Sequence, residues 1–286
     1  MSMKFGPAGN SKSFFEMGYK GSLDVPEYLQ KMGLDAFEYQ CGRGVNIGLE
    51  KAAELGKSAK AAGIRLSLHA PYYISMSSIE EQKRLNSINY ILASARAVNA
   101  MGGNRIVVHT GSCGKISREE ALELAINTMK LSLSALDNEG LGHIHICPET
   151  MGKVNQLGTL DEVITLCEID ERLIPCIDFG HLNARDMGSL SSKTDFKVIF
   201  DKIGNKLGSD RLKNFHSHFS KIEYTSGGEK KHLTFADTIF GPDYEPMLEL
   251  AAENNCCMTV ICESDGTQAE DAKTMKEYYS KITSDN

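Results

Sequence analysis

The stretch Cys176-Ile177-Asp178-Phe179-Gly180-His181 has the pattern of a buried strand that ends in a turn. Because successive side chains of a strand point to opposite faces, Asp178 shares a face with Cys176. Gly180 allows the backbone to turn, and His181 follows close to the strand end. A carboxylate and an imidazole placed together are ligands that a divalent metal ion prefers. Taken alone, this segment could equally be a turn aspartate beside a surface histidine. The rest of the chain is needed to distinguish a metal site from such a turn.

The rest of the chain repeats one unit, a strand followed by a helix, eight times. Strands are predicted at residues 4–9, 36–40, 65–70, 105–109, 143–147, 173–178, 212–219 and 258–262. Helices are predicted at 24–33, from 49 to a stop at Gly63, at 78–102, after Ser117, at 159–168, 195–207 and 244–254, and from Gln268. A longer excursion, residues 221–241, follows the seventh strand.

Alternating strands and helices predict a parallel sheet, and eight units predict a closed (β/α)8 TIM barrel of the α/β class. We expect residues 1–286 to form a single domain, because no linker or low-complexity segment interrupts the pattern. An open, doubly wound sheet is the alternative. That alternative lacks a dinucleotide-binding motif, since no G-x-G-x-x-G follows the first strand.

The composition, 41% hydrophobic and 24% charged, is typical of a globular protein. No apolar run approaches the roughly 20 residues of a membrane span, and the start has no signal-peptide pattern, so we expect a cytoplasmic protein without membrane contact. The eight cysteines include no C-x-x-C pair, which argues against a zinc ribbon or a redox motif. The net charge of −7 argues against non-specific coating of nucleic acid, but it permits a local basic face.

The active sites of such barrels form at the carboxyl ends of the strands. Those ends carry residues that are all metal-ligand types, namely His69, His109, Glu149, Asp178 with His181, His216 and Glu263, and the excursion adds His232. Any one of them alone could be a turn residue or a core histidine, so the set is the specific signal. His143 and His145 lie away from the strand end and are expected to be structural. His218 shares the strand face of His216 and is a weaker candidate.

This set contains too many ligands for one tetrahedral ion. It suits a multinuclear site in which a carboxylate bridges two ions, the type of centre that promotes displacement at phosphorus. Ligands rich in imidazole favour zinc over magnesium, because magnesium prefers oxygen ligands and water. The residues themselves therefore predict a centre of two or three Zn²⁺ ions.

With these motifs the chain resembles the endonuclease IV family, the zinc-dependent apurinic/apyrimidinic endonucleases among the xylose-isomerase-like TIM barrels. The matching stretches follow the family's order across nearly the whole chain. They are residues 68–73, 109–112, 148–150, 178–181, 215–221 and 262–263.

The resemblance implies a ligand assignment for three zinc ions. His69 and His109 would bind the first ion, and Glu149, the expected catalytic residue, would bridge it to the second. The remaining ligands of the second ion would be Asp178, His216 and Glu263, and the third ion would be bound by His181 and His232. The implied reaction is hydrolysis of the DNA phosphodiester 5′ to an abasic site, which leaves a 3′-hydroxyl and a 5′-deoxyribose phosphate.

The resemblance also implies a partner, double-stranded DNA that contains an abasic site. Tyr72 matches the family position that probes the minor groove around the lesion. Arg43, in the loop after the second strand, is a second expected DNA contact. We expect the protein to act as a monomer.

One departure from the family concerns the third ion. The family has Asp-x-His where this chain has Lys230-Lys231-His232, and a protonated lysine cannot bind a cation. Either Glu229 replaces the missing acid, or the third ion is weak or absent. The activity could accordingly persist, weaken, change substrate or be lost.

Two other functions remain open from the sequence. A sugar isomerase or epimerase of the same superfamily would hold one ion with Glu149, Asp178, His216 and Glu263, but it would leave the other histidines without a common purpose. A barrel that binds damaged DNA or stores metal without turnover is the non-enzymatic alternative. The lysine at position 230 is its main support.

Overall fold

Parallel strands alternate with helices along residues 2–284, the part of the chain that the computed structural model describes. The barrel strands are β1 (Lys4–Pro7), β2 (Ala36–Gln40), β3 (Arg65–His69), β4 (Arg105–Val108), β5 (His145–Pro148), β6 (Cys176–Asp178), β7 (His216–Phe219) and β10 (Thr259–Cys262). Between β7 and β10, the strands β8 (Ile222–Thr225) and β9 (Gly228–His232) form an antiparallel hairpin. The prediction of an α/β TIM barrel is confirmed.

The barrel wall consists of two runs of four hydrogen-bonded strands, β1-β10-β7-β6 and β2-β3-β4-β5. Isolated bridges join the runs at both edges, one between Ala8 and Glu38 and one between Glu149 and Cys176. Because the strands are parallel and the wall closes, all the carboxyl ends meet at one rim. Residues that follow different strands, far apart in sequence, therefore become neighbours there.

The helices cover the outside of the barrel. They are α1 (Lys12–Glu16), α2 (Val25–Met32), α3 (Leu49–Ala61), α4 (Glu81–Ala100), α5 (Arg118–Asn138), α6 (Leu160–Cys167), α7 (Phe179–Arg185), α8 (Lys193–Leu207), α9 (Ser209–Asn214), α10 (Glu245–Glu253) and α11 (Gln268–Ser284). The predicted capping box is confirmed, since Ser117 and Glu120 exchange hydrogen bonds at the start of α5. Within residues 2–284, no helix combines the length and the apolar character needed to cross a bilayer.

Several elements differ from the prediction, and two of the differences lie near the carboxyl ends of β6 and β7. The first half of the predicted strand 212–219 is wrong, because Ser209–Asn214 is the helix α9 and β7 begins only at His216. Gly180 lies inside helix α7 rather than in a turn. A Cβ atom at Gly180 would lie 2.5 Å from the Ser220 carbonyl oxygen, so glycine is needed for close packing and not for a bend.

An aromatic cluster fixes α7 against the barrel. The Phe179 ring packs on Phe196 and Phe200 of α8 at centroid distances of 5.5 and 6.3 Å, and Phe200 meets Phe215 edge-to-face at 5.6 Å. All four rings are buried. Burial of side chains of this size contributes about 2 kcal/mol each. The cluster therefore holds the start of α7, which carries His181, at the rim.

Candidate metal centre

The rim surrounds a cleft of about 580 Å³. The side chains that line it come from the ends of several strands and from the loops that follow them. They include the expected residues His69, Tyr72, His109, Glu149, His181, Glu229, His232 and Glu263. The cleft is also lined by four residues that were not predicted from the sequence, Gln40, Lys153, Gln156 and Gln268. Gln40 had a signal, since it ends β2, whereas the other three lie beyond strand ends.

Glu149 lies at the centre of the cleft, and its two carboxylate oxygens face different histidines. Oε2 is 3.2 Å from His109 Nε2 and 3.3 Å from His69 Nε2. Oε1 is 3.0 Å from His218 Nδ1 and 3.5 Å from His181 Nδ1. One carboxylate therefore connects two sets of imidazoles, as a bridging ligand between two ions would.

Three groups of ligand atoms surround Glu149. The atoms of each group lie within 4.8 Å of one another. We name them the first group (His69, His109, Glu149), the second group (Glu149, Asp178, His218, Glu263) and the third group (His181, His232, Glu263). The donor types, imidazole nitrogen and carboxylate oxygen, are those that divalent transition metals bind.

Three of the candidate ligand histidines are oriented by hydrogen bonds on the side away from the cleft. His69 Nδ1 donates to the Ala70 carbonyl oxygen at 2.8 Å, and His181 Nδ1 donates to the Thr150 carbonyl oxygen at 2.9 Å. His232 Nδ1 lies 2.8 Å from the Ser220 hydroxyl. A carbonyl oxygen can only accept, so in the neutral form of His69 and of His181 the proton is on Nδ1 and Nε2 presents its lone pair to the cleft. This is the usual arrangement of metal-binding histidines.

The charges of the centre also fit a cation. Burial raises the pKa of Glu149, but the neighbouring imidazoles, His218 foremost, outweigh it and hold this pKa well below its usual range. For Glu263 burial prevails, and the pKa is raised although His218 and His232 lower it in part. Asp178 Oδ2 is buried and accepts no hydrogen bond from the described residues. Carboxylates packed together in this way need positive charge, which bound metal ions supply.

The structure does not bring His216 into the second group. β7 extends to Phe219, so His216 begins the strand and lies opposite Cys176, while His218 lies opposite Asp178 at the rim. Two residues along a strand correspond to about 7 Å of depth. His216 is fully buried, its Nε2 is 2.9 Å from Glu38 Oε2, and burial lowers its pKa to about 4.

His218 takes the place in the second group that we expected for His216. Strand parity indicated that the two histidines share a face, but only the register of the neighbouring strands places His218 at the rim. His216 also forms a separate buried group with Cys176 and His218. His143 and His145 lie elsewhere, as expected, against Asn99 and the Arg172 carbonyl oxygen.

A β-bulge shapes the third group. Glu223 pairs with Lys231 and Tyr224 pairs with Glu229, which leaves Lys230 as the extra residue of β9. Without the bulge, Glu229 and His232 would point to opposite faces, because they are three residues apart. With it, Glu229 Oε2 lies 3.5 Å from His181 Nε2, and Oε1 lies 3.9 Å from His232 Nε2.

Lys230 itself points away from the cleft. Its side chain is exposed and forms an ion pair with Glu223. Glu229 is the residue that faces the cleft, and it is packed tightly against Gly152. A Cβ atom on Gly152 would lie 2.6 Å from Glu229 Cβ. Glu229 therefore supplies a carboxylate to the third group, and the lysine does not intrude on it.

Tyr72 and Arg43 lie on adjacent loops at the rim. The Tyr72 side chain is 58% exposed, and its ring stacks on His109 with centroids 5.4 Å apart and planes 29° apart. Its backbone N–H donates to the Gly42 carbonyl oxygen at 3.3 Å, next to Arg43, which is exposed. An exposed aromatic ring beside a ligand histidine can stack on a planar group that enters the cleft.

The chain matches the family model described as a xylose isomerase-like TIM barrel over residues 26–281. Among curated proteins it is 34% identical over 252 residues to an uncharacterized protein of Methanocaldococcus jannaschii, a match that covers 88% of this chain and 90% of that protein. It is 30% identical over 182 residues to the probable endonuclease 4 of Mycoplasma pneumoniae. That match covers 62% of this chain and 60% of the relative's length.

Solved structures agree on the fold. A D-tagatose 3-epimerase-like protein superposes with a TM-score of 0.71 at 19% identity over 99% of both chains. Endonuclease IV from Thermus thermophilus superposes with a TM-score of 0.65 at 16% identity over 97% of this chain and 99% of that chain. At such identities the superpositions report the fold alone, while the family model spans most of the chain. This protein belongs to the xylose isomerase-like TIM-barrel family.

Proposed function

We propose that this protein is a zinc-dependent phosphodiesterase that cleaves double-stranded DNA 5′ to abasic sites, leaving a 3′-hydroxyl and a 5′-deoxyribose phosphate. The proposal rests on the two carboxylate oxygens of Glu149, which face different histidines. Oε2 faces His69 and His109, while Oε1 faces His218. A carboxylate shared between two imidazole sets suits neighbouring ions, and paired ions suit displacement at phosphorus.

Each ligand group would hold one Zn²⁺ ion. The first and second groups share Glu149, and the second and third share Glu263. Glu229 adds a fourth donor to the third group, so the lysine at position 230 does not remove the acid that this ion needs. When bound, the ions supply an activated water and neutralise the negative charge of the phosphate.

The remaining side chains of the cleft would bind the DNA. Lys153, a cation that lines the cleft, would contact the phosphate backbone. Tyr72, stacked on His109, would press against the bases beside the lesion. Arg43, exposed on the neighbouring loop, would add a phosphate contact. The similarity to the probable endonuclease 4 of Mycoplasma pneumoniae supports the same substrate class.

The test is incision of a duplex that carries one abasic-site analogue, with the zinc-loaded protein. We expect a single nick 5′ to the lesion. Glu149→Gln should lower the incision rate by more than about 100-fold, because loss of partners behind the ligands already costs about 10- to 100-fold. His143→Ala, which changes a histidine outside the cleft, is the matched control and should incise normally. Fully metal-loaded protein that binds the duplex without nicking it would overturn the proposal.

A ketose epimerase is the second candidate. The second group contains three carboxylates and one imidazole, enough for one ion without the other histidines, and a D-tagatose 3-epimerase-like protein shares the fold. Elemental analysis separates the candidates, because the nuclease needs two or three ions and the epimerase needs one. Epimerase activity that survives His69→Ala and His109→Ala would favour this second candidate.

A further inference from the structure

Behind His218, on the side away from the cleft, lies a second buried carboxylate. We propose that Glu38 is a positioning residue that holds His218 in the tautomer and orientation needed to bind a metal ion. The inference rests on the proposed function, since it assigns a role toward the ion of the second group. Glu38 itself lies outside all three ligand groups.

Glu38 is fully buried in β2 and has a partner for each oxygen. Oε1 lies 2.8 Å from His218 Nε2 and accepts a longer hydrogen bond, 3.5 Å, from Gln40 Nε2. Oε2 accepts a hydrogen bond from His216 Nε2 at 2.9 Å and another from the Ser67 hydroxyl at 2.9 Å. On its other side, His218 Nδ1 lies 3.0 Å from Glu149 Oε1. The His218 ring therefore lies between two carboxylates, that of Glu149 in the cleft and that of Glu38 on the side away from the cleft.

The tautomer follows from these contacts. The His218 Nε2–H is not aligned with Oε1 as a hydrogen bond, and no other described group accepts it. Glu38, at 2.8 Å, is thus the acceptor within reach. A histidine that binds a cation through Nδ1 must carry its single proton on Nε2. Glu38 Oε1 needs a closer donor at the same place, because its hydrogen bond from Gln40 Nε2 is 3.5 Å long and a buried carboxylate without good donors costs several kcal/mol. One tautomer satisfies both needs.

The support behind His218 differs from that behind His69, His181 and His232. His69 and His181 are backed by carbonyl oxygens, and His232 is backed by a hydroxyl. A carboxylate behind an imidazole draws its proton more strongly than a neutral acceptor and makes the opposite nitrogen more basic. We therefore expect Glu38 to strengthen the bond between His218 and the ion that Glu149 bridges.

His216 acquires a role in this arrangement. Its Nε2–H holds Glu38 Oε2 in place, so it acts two contacts away from the cleft rather than as a ligand. Ser67 restrains the same oxygen from β3. Because both donors bind Oε2, the other oxygen, Oε1, stays directed at His218, as the positioning role requires.

The experiment measures zinc affinity by competition with a chelator, and the absorption spectrum of the cobalt-loaded protein. Glu38→Gln keeps the size of the side chain and removes its charge. We expect its affinity for the second ion to fall by about 10- to 100-fold, with a shifted cobalt spectrum and an unchanged number of ions. Glu162→Gln is the matched control, because Glu162 is also a buried carboxylate but pairs with Arg118 and touches none of the ligands. Its zinc affinity should equal that of the wild type.

The outcomes separate this inference from the proposed function. If Glu149→Gln and His218→Ala lose metal while Glu38→Gln binds as tightly as the wild type, the positioning role is wrong and the metal centre stands. If none of the three variants changes metal binding, the centre itself is wrong. If His216→Ala loses a whole ion together with a cobalt–thiolate band, the ion lies between Cys176 and His216, and the positioning role is again wrong.

Discussion

We expect the titration of His181 to contribute to the pH response of the metal-free protein between pH 6 and 10. Burial lowers its pKa, but Asp178, Glu149, Glu229 and Glu263 outweigh burial and raise the pKa to about 9. The unfolded chain has the ordinary histidine pKa of about 6.5. The pairing therefore stabilises the folded protein fully below pH ~6.5, and the stabilisation is lost as the pH rises through about 9. The difference corresponds to on the order of 3 kcal/mol.

The measurement is chemical denaturation of the chelated protein between pH 6 and 10. We expect the free energy of unfolding to fall across this range in the wild type and to fall less in His181→Gln. Zinc binding should show the opposite trend, because a bound ion needs the neutral imidazole. A chelated wild type whose stability is flat from pH 6 to 10 would contradict the expectation.

At this scale the sequence predicted residue types better than positions. Ligand-type side chains at strand ends were sufficient to select His69, His109, Glu149 and Asp178, which the structure brings together. The structure places His218 rather than His216 in the second group, because parity identifies a face of the strand, whereas depth depends on the pairing of β7 with its neighbours. Glu38 carried no signal, since its partners come from distant strands.

Among the elements, the β8–β9 hairpin makes the most specific prediction. Glu229→Ala should remove the third ion and leave two, because Glu229 Oε2 is the carboxylate oxygen 3.5 Å from His181 Nε2. Adding Lys230→Glu to that variant places an acid at the position where the family has one. It should not restore the ion, since residue 230 is the outward residue of the bulge.

The number of ions bound by each purified variant is measured by elemental analysis. Lys230→Ala is the control and should keep all the ions of the wild type, because it removes only an exposed ion pair. Three ions in the Glu229→Ala/Lys230→Glu double variant would mean that the bulge does not orient β9 as described.

The elements that escaped prediction are short and depend on tertiary contacts. Helix α9 has six residues, too few to be stable alone, and Leu212 within it packs against Gly204 of α8. Helix α7 begins directly after Asp178, the N-cap residue, whose side chain accepts a hydrogen bond from the backbone N–H of His181 at 2.7 Å. The sequence suggested a turn there because Gly180 normally interrupts a helix. Longer helices with their own caps, such as α5, were predicted correctly.

For the molecule as a whole, the repeated order of strands and helices was sufficient to predict the barrel. That order is local information, and parallel pairing with right-handed crossovers leaves few ways to arrange eight such units. Closure is a property of the complete wall, seen here in the bridges Ala8–Glu38 and Glu149–Cys176. The relative positions of the cleft residues depend on that closure, so the contacts between them could not be derived from the motifs alone.

The same closure predicts that metal removal destabilises the entire barrel. The ligand groups include residues at the ends of β3, β4 and β5 in one run of strands and of β6, β7 and β10 in the other. Ions bound there connect both runs and neutralise the carboxylates of Glu149, Asp178 and Glu263. A ligand present at 1,000 times its dissociation constant adds about 4 kcal/mol of stability, which in a chain of this size shifts the melting temperature by roughly 10 °C.

We therefore expect exhaustive chelation to lower the melting temperature by about that amount, as measured by calorimetry. Zn²⁺ should restore it fully, whereas Mg²⁺ should not, since imidazole ligands discriminate against magnesium. Zinc should raise the melting temperature of Glu149→Gln much less than that of the wild type, because the first and the second group lose the carboxylate they share and only the third group keeps all its donors. A wild type that melts identically before and after verified metal removal would show that the two runs of strands hold together without ions, and the centre would then have to be argued from catalysis alone.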